Sequence, residues 1–347
     1  MLSSVSSRRV LGATLAAAGG IGWYLLRRQH RRAFRSAVTF ETLDVFTDKR
    51  FGGNQLAVVF DEQQLLSDED MQSIAAEFGF SETTFVLPPR DHGRNTAWVR
   101  IFSPTTEMPF AGHPNVGTAT ALALHGEAFG LRIGTTVRLE EKAGVVPLDI
   151  LYDEHGAAAG AMLTAPEAFA VPVATLPLEL VATSIGLRPS DLSVEHHPPC
   201  VATAGLPFVC VELGSLDALE RSRGVAAGFT GELGTAPPKV LAYVRVGGSG
   251  SPNGAPLEVR ARMHRKDGTE DAGTGSANCA LVGLLASLQD TPGVVRARVT
   301  QGVEMGRPSE LHAEATRIAS GKGATAVGAV RIGGHCAMVT RGELVGW

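Results

Sequence analysis

The 347-residue chain is too long for one ordinary domain and suits two of roughly 150 residues. With 44% apolar and 19% charged residues, 41 Gly and 19 Pro, it reads as a loop-rich globular protein, which excludes a disordered tail, a collagen-like repeat and a disulfide-stapled mini-protein. The formal net charge of −4 argues against nucleic acid as the main partner.

That charge is unevenly spread. Seven of the 31 basic residues, all Arg, lie in residues 1–40, and the first acid is Glu41. The body therefore carries 24 Lys and Arg against 35 acids, a net of −11. Residues 1–38 read as a basic leader around the uncharged run Val10–Leu26. At about 1.5 Å per residue, that run reaches about 25 Å, slightly short of a bilayer core of roughly 30 Å. Three readings compete: a single-pass anchor with Trp23 and Tyr24 at the interface, a cleaved mitochondrial presequence, or a twin-arginine export signal. The five arginines after the run weigh against export. The anchor is the expected form; two arginines before the run and five after it place the body in the cytosol or matrix. Cys200, Cys210, Cys279 and Cys336 form no CxxC pair, so buried or free thiols are expected and a zinc site is not.

The body is expected to divide into domains at 39–150 and 151–347, with the last strands able to pair back with the first. Phe40–Phe46 reads as a strand, and DKRFGGN (48–54) is a turn into a second strand, Gln55–Phe60. Ser67 with Asp70 is a capping-box variant opening a helix with apolar Met71, Ile74, Ala75 and Phe78, and Gly79 stops it. Ser81–Leu87 reads as a strand entered through a polar corner. Further strands are expected at Val137–Leu139, Val145–Leu151 and Val209–Leu213, and short helical stretches at Leu176–Ile185 and Leu216–Ser222. The segment 249–255 reads as a surface loop.

An internal repeat organises the rest. WVRIF (98–102) leads to AGHPNVGTATALAL (111–124), and EVRARM (258–263) leads to AGTGSANCALVGLL (272–285). Each copy is strand, polar connection, Gly-rich turn and an apolar helix, which must be buried on all sides. The fold class is therefore α+β, with a strand-rich shell around a buried helix in each half. Two helix N-termini facing each other across a cleft would offer free amides and positive potential to a carboxylate. The glycines taken singly would mean only tight turns. Neither turn is a P-loop or a dinucleotide fingerprint.

The segments DVFTDKRFGGNQLAVV (44–59), FGFSETTFVLPP (78–89), VRIFSPTTEMPFAGHPNVGTA (99–119), EDAGTGSA (270–277) and QGVEMGRPS (301–309) resemble the phenazine-biosynthesis PhzF family. The resemblance implies the diaminopimelate-epimerase fold, two similar domains with the site between them. It also suggests secondary or aromatic-acid metabolism and a homodimer. The family's acid/base Glu falls on Glu82. In its own right, a carboxylate at a strand start beside a closed cleft is open to desolvation, which favours proton shuttling. The bland reading is a solvated turn residue. His113 matches a family histidine that supports substrate and proton relay, and Asp271 and Ser276 match residues that position substrate. By themselves these last two would pass for helix caps. Gly112, Gly273, Thr274 and Gly275 would supply amides, and Arg307 and Ser309 anion contacts, though Arg307 suits a structural ion pair equally.

Two departures lie beside the presumed pocket: Ala272-Gly273 replaces Pro-Ala, and HRKDGT (264–269) replaces a more apolar stretch. Related racemases carry a Cys before each turn, whereas this chain has Ala111 and Ala272. Two-thiol racemisation is not expected, and Cys279 reads as core. The expected activity is a cofactor-independent isomerase using Glu82 on a small carboxylated substrate. The alternatives are a catalytically silent tethered scaffold, or an epimerase or lyase using the same Glu.

Overall fold

The computed structural model describes residues 38–229, 239–320 and 324–346. Among them seventeen strands are hydrogen-bonded into one continuous sheet. The repeat is visible in its pairing. Asn54–Phe60 runs parallel to Glu82–Leu87, with the helix Asp68–Phe78 between them in sequence. Ala97–Phe102 is antiparallel to Glu82–Leu87 and parallel to Thr136–Glu141. The second copy has the same order: Pro207–Glu212 parallel to Lys239–Gly247, the helix Leu216–Arg221 between them, and Leu257–Arg265 antiparallel to Lys239–Gly247 and parallel to Gly293–Gln301.

Local chemistry explains the elements that position the site. Ser67 Oγ accepts from the Asp70 amide while the Asp70 carboxylate accepts from Ser67 N–H, closing the expected capping box. Gly79 ends that helix in the left-handed conformation at φ 64°, and the next strand starts at Glu82. Met71, Ile74 and Ala75 bury the inner helix face with Phe85 and Phe102.

The helices Gly112–His125 and Gly275–Ser287 are the two apolar helices of the repeat. The first is buried continuously from Gly112 to Leu122, and in the second only Ser276 and the final Ser287 escape full burial. Strands from around the sheet pack on both. Gly117 permits the close approach, since a Cβ there would stand 2.4 Å from Leu56 Cδ2. The second helix starts later than the Ala111/Ala272 alignment implies. Ala272, Gly273 and Thr274 all precede it, and Thr274 is its N-cap where Ala111 caps the first.

The strand Ala324–Leu344 links the halves. It pairs with Ser309–Ser320, then with Ala158–Thr164 through 331–335, and finally with Val38–Val45 through 336–344. Gly333 lies where these pairings change, and a Cβ there would be 2.1 Å from the Ala161 carbonyl oxygen. The division expected at 150/151 falls inside the strand Gly144–Tyr152, which pairs on both sides.

The expectation of a membrane-anchored body is corrected: among the described residues no helix is long and apolar enough to cross a membrane. Val10–Leu26, on which the anchor rested, lies outside the described residues.

His264, in the departing stretch, is fully buried. Ser222 Oγ donates to the Leu219 carbonyl, so it accepts from His264 Nε2–H at 2.8 Å. Burial, and then the Arg262 charge, push the imidazole down to about 3 from 6.5. The unfolded chain protonates this residue below its ordinary value while the folded chain does not, so stability falls as pH drops from 6.5 towards 3. Urea midpoints across that window should fall more steeply for wild type than for His264→Gln. Parallel curves would show that His264 does not drive the acid lability.

Candidate active site

The turn DKRFGGN delivers Asn54 to the first position of its strand, with its side chain buried between the halves. Asn54 Nδ2 donates to Asp271 Oδ1 at 2.9 Å and to the Gly273 carbonyl at 3.0 Å, and it lies 3.4 Å from His113 Nδ1. Ser81 Oγ reaches Asn54 Oδ1 at 3.4 Å. His113, on the first turn of its helix, turns Nε2 towards Glu82 Oε2 at 3.5 Å. Facing a carboxylate, Nε2 is the nitrogen suited to carry the proton in the neutral ring. Nε2 is buried and makes no hydrogen bond. The side chains of His113 and Glu82 are only 6% and 16% exposed. Asn54 thus lies between His113 and Asp271, and His113 in turn faces Glu82.

The two helix N-termini also meet. A Cβ on Gly112 would lie 3.5 Å from the Ser276 amide nitrogen and 3.6 Å from Gly275 Cα. A cavity of about 270 Å³ opens beside them, lined by Pro109, Phe110, Gly112, Ser276 and Cys279 among others. Neither helix has a side-chain N-cap, so their first amides and positive dipole ends are directed at this junction. Burial pushes the Cys279 thiol up to about 12, in keeping with a core residue rather than a nucleophile.

The second turn is held from behind. Thr274 Oγ1 donates to Asp271 Oδ2 at 2.7 Å. The buried Gln301 donates to the Asp271 carbonyl at 2.7 Å and to Thr274 Oγ1 at 3.0 Å, while its Oε1 accepts from Thr274 N–H and Asn278 Nδ2. Ser309 packs against this turn, where a Cβ on Gly273 would come within 2.8 Å of its Oγ. The departing stretch supplies Arg265, one third exposed, 3.7 Å from Asp271 Oδ2.

Arg307 is engaged as a clamp within the protein. It pairs with the buried Asp44 and donates to the Gly52 carbonyl and, at 3.0 Å, to that of Gly53. Its ion-pairing was one of two readings open from sequence, and the structure takes it. Asn54 and Gln301 are the site residues that sequence reasoning missed. Both lie inside segments carrying the resemblance, but nothing local marks a side chain whose partners are 217 positions away or lie across a turn.

Asn54→Ala leaves Asp271 and the Gly273 carbonyl without their shared donor. A loss of about tenfold in kcat/KM is expected, the size of one hydrogen bond to a charged group. Steady-state kinetics checks it, and an unchanged kcat/KM would remove Asn54 from the site.

Comparison with known proteins finds similar chains and a similar fold. The model of the PhzC-PhzF family, phenazine biosynthesis-like protein, matches residues 43–342. An uncharacterized isomerase of Mesorhizobium japonicum is 37% identical over 87% of this chain and 96% of its own length. The trans-2,3-dihydro-3-hydroxyanthranilate isomerase of Pseudomonas aeruginosa is 33% identical over 88% of this chain and 98% of its own. A crystal structure of a PhzF-family phenazine biosynthesis protein from Bacillus anthracis superposes with a TM-score of 0.74 at 25% identity, covering 89% of this chain and 99% of that one.

Proposed function

Because the chain belongs to the PhzC-PhzF family of phenazine biosynthesis-like proteins, we propose that it is an isomerase that moves a proton between two carbons of a small carboxylated substrate. The observation that carries this reading is the chain of contacts Glu82–His113–Asn54–Asp271 beside two facing helix N-termini. The fold is read as two pseudo-symmetric lobes, each a curved sheet around its buried helix, with the cleft between them.

Glu82, as carboxylate, takes a proton from one substrate carbon; the electron pair left behind delocalises towards the carboxyl or an adjacent double bond. Amides of Gly112, Gly275 and Ser276 face the developing negative charge. Glu82 then returns the proton to a second carbon, so that acid and base are one group and the transfer stays on one face. His113 turns Nε2 towards the Glu82 carboxylate, placed to exchange a proton with it once substrate draws the two together, and Asn54 lies against His113 and holds Asp271. Asp271 would accept from a hydroxyl or amino substituent of the substrate. These residues supply the acid and base themselves, so the reading is cofactor-independent. Ala111 and Ala272, at the head of the two turns, support single-carboxylate rather than two-thiol chemistry.

The relative's name makes trans-2,3-dihydro-3-hydroxyanthranilate the first compound to test, with other dihydroaromatic and hydroxy acids beside it. Incubation in deuterated water with mass and NMR analysis should show an isomerised product carrying solvent deuterium at a single carbon. Elimination products or inverted starting material would replace the reading with a lyase or epimerase, and inertness towards the whole panel would favour a silent scaffold.

A further inference from the structure

Glu141 is a buried carboxyl that the proposed chemistry does not use. It ends the strand Thr136–Glu141, and Ala143, in the turn that follows, lines the cavity beside Gly112 and Ser276. The Ala143 amide donates to the Pro109 carbonyl, fixing this hairpin against the loop that leads into the first central helix. The carboxyl lies beside the amide of Asn115, which sits in the first turn of that helix and has no exposed surface. Neither carboxyl oxygen of Glu141, and neither polar atom of the Asn115 side chain, makes a hydrogen bond of normal geometry.

Among the described residues no cation answers this carboxyl. Glu140, on the opposite strand face, accepts from the Arg90 and Asp91 amides and Asn95. Lys142 is exposed and directed at Glu107, which is itself held by Arg100. On the partner strand Gly144–Tyr152, Asp149 pairs with Arg331. On the helix, His113 faces Glu82 and His125 faces Glu41. Burial, opposed only by the Asn115 amide, pushes Glu141 up to about 8.

We propose that Glu141 is a positioning residue that sets the charge felt at the N-terminus of the first central helix, and so the affinity for a substrate carboxylate. This rests on the reading that a carboxylate docks at the facing helix ends. With its proton in place, Glu141 is a neutral neighbour and the positive helix end is left for the substrate. When the proton leaves to solvent, a fixed negative charge sits against the same turn and competes with the incoming anion. Substrate affinity then falls as pH rises through about 8, while the rate of the bound complex changes little.

The test uses anthranilate, a stable aromatic acid whose carboxylate stays ionised throughout, with wild type and Glu141→Gln between about pH 6 and about pH 10. Calorimetry should show the wild-type Kd rising about tenfold across that range, and the Gln variant, which mimics the protonated acid, holding its tighter value. The same split is expected in KM and not in kcat for any substrate that turns over. Infrared difference spectra of wild type against the variant should show a protonated carboxyl at the acid end that is lost near pH 8. Glu141→Thr, also uncharged, replaces the Gln variant if that one does not fold. Equal pH dependence in wild type and variant, or a Glu141 already ionised at the acid end, overturns this inference and leaves the isomerase reading intact. Absence of binding by either protein at every pH overturns the carboxylate site itself, and this inference with it.

Discussion

Glu82→Gln protein is expected to lose about three orders of magnitude in turnover, within the range that a positioned acid/base typically contributes. Gln keeps the shape and the neighbour His113, so binding should survive while proton transfer stops. Solvent deuterium uptake into recovered substrate should fall in parallel, because removal and return of the proton use the same oxygen pair. KM should move by less than about threefold if the side chain binds substrate and transition state alike in everything but the proton. A Gln variant that exchanges hydrogen as fast as wild type would remove Glu82 from the chemistry. Asp271 would then be the carboxylate to examine, since it lies across Asn54 from His113.

Arg307→Met is expected to cost about 3 kcal/mol of stability without a change in KM of comparable size. The guanidinium joins the loop before Ser309–Ser320 to Asp44 and to the carbonyls of Gly52 and Gly53 in the first half. Asp44 is buried and also accepts from the Phe51 amide at 2.5 Å, so it would keep one partner but lose its counter-charge. Phe51 and Gly53 have φ of 70° and 61°, a conformation that a non-glycine residue resists and that these bonds hold in place. Arg307 is only partly buried, which puts the cost at the lower end for a broken buried pair. Urea unfolding measures it. An unchanged midpoint with a sharply raised KM would return Arg307 to the substrate-binding set. Arg307→Lys tests the geometry, because a single ammonium cannot reach Asp44 and both carbonyls with a planar fork.

The parts of the fold that could be read from sequence are those with a local cause. The Ser67–Asp70 capping box, the Gly79 stop and the two uncharged helices depend on neighbours within a few positions, and the observed bounds agree closely except at the start of the second of these helices. Ala158–Thr164 and Ala324–Leu344 were missed because their sequences, AAGAMLT and a Gly/Ala-rich run, alternate too weakly to signal a strand. Their extended form is imposed by pairing with distant strands. The site divides in the same way. Glu82, His113 and the Gly-rich turns lie in segments carrying a recognisable pattern, and the structure brings Glu82, His113 and Asp271 together. Asn54 and Glu141 have roles that exist only once remote chain segments have met, Asn54 through Asp271 and Glu141 through Asn115. The second Gly-rich turn aligns with the first in sequence, yet its helix starts at Gly275, so Gly273 and Thr274 belong to the loop.

The long strand Ala324–Leu344 has a consequence for how the molecule comes into being on the ribosome. Val38–Val45 is among the earliest described segments to be made, and one of its two edges pairs with Cys336–Leu344, with Val38 opposite Leu344. Until residue 344 has emerged from the exit tunnel, Val38–Val45 carries an unpaired edge, and the apolar helix Gly112–His125 lacks part of its cover. Synthesis at about 5–20 residues per second leaves that edge open for tens of seconds, long enough for chaperone capture or for pairing with another nascent chain. Premature termination anywhere upstream would then disable the first lobe along with the second. Fragment complementation should work only when the shorter piece carries 324–344.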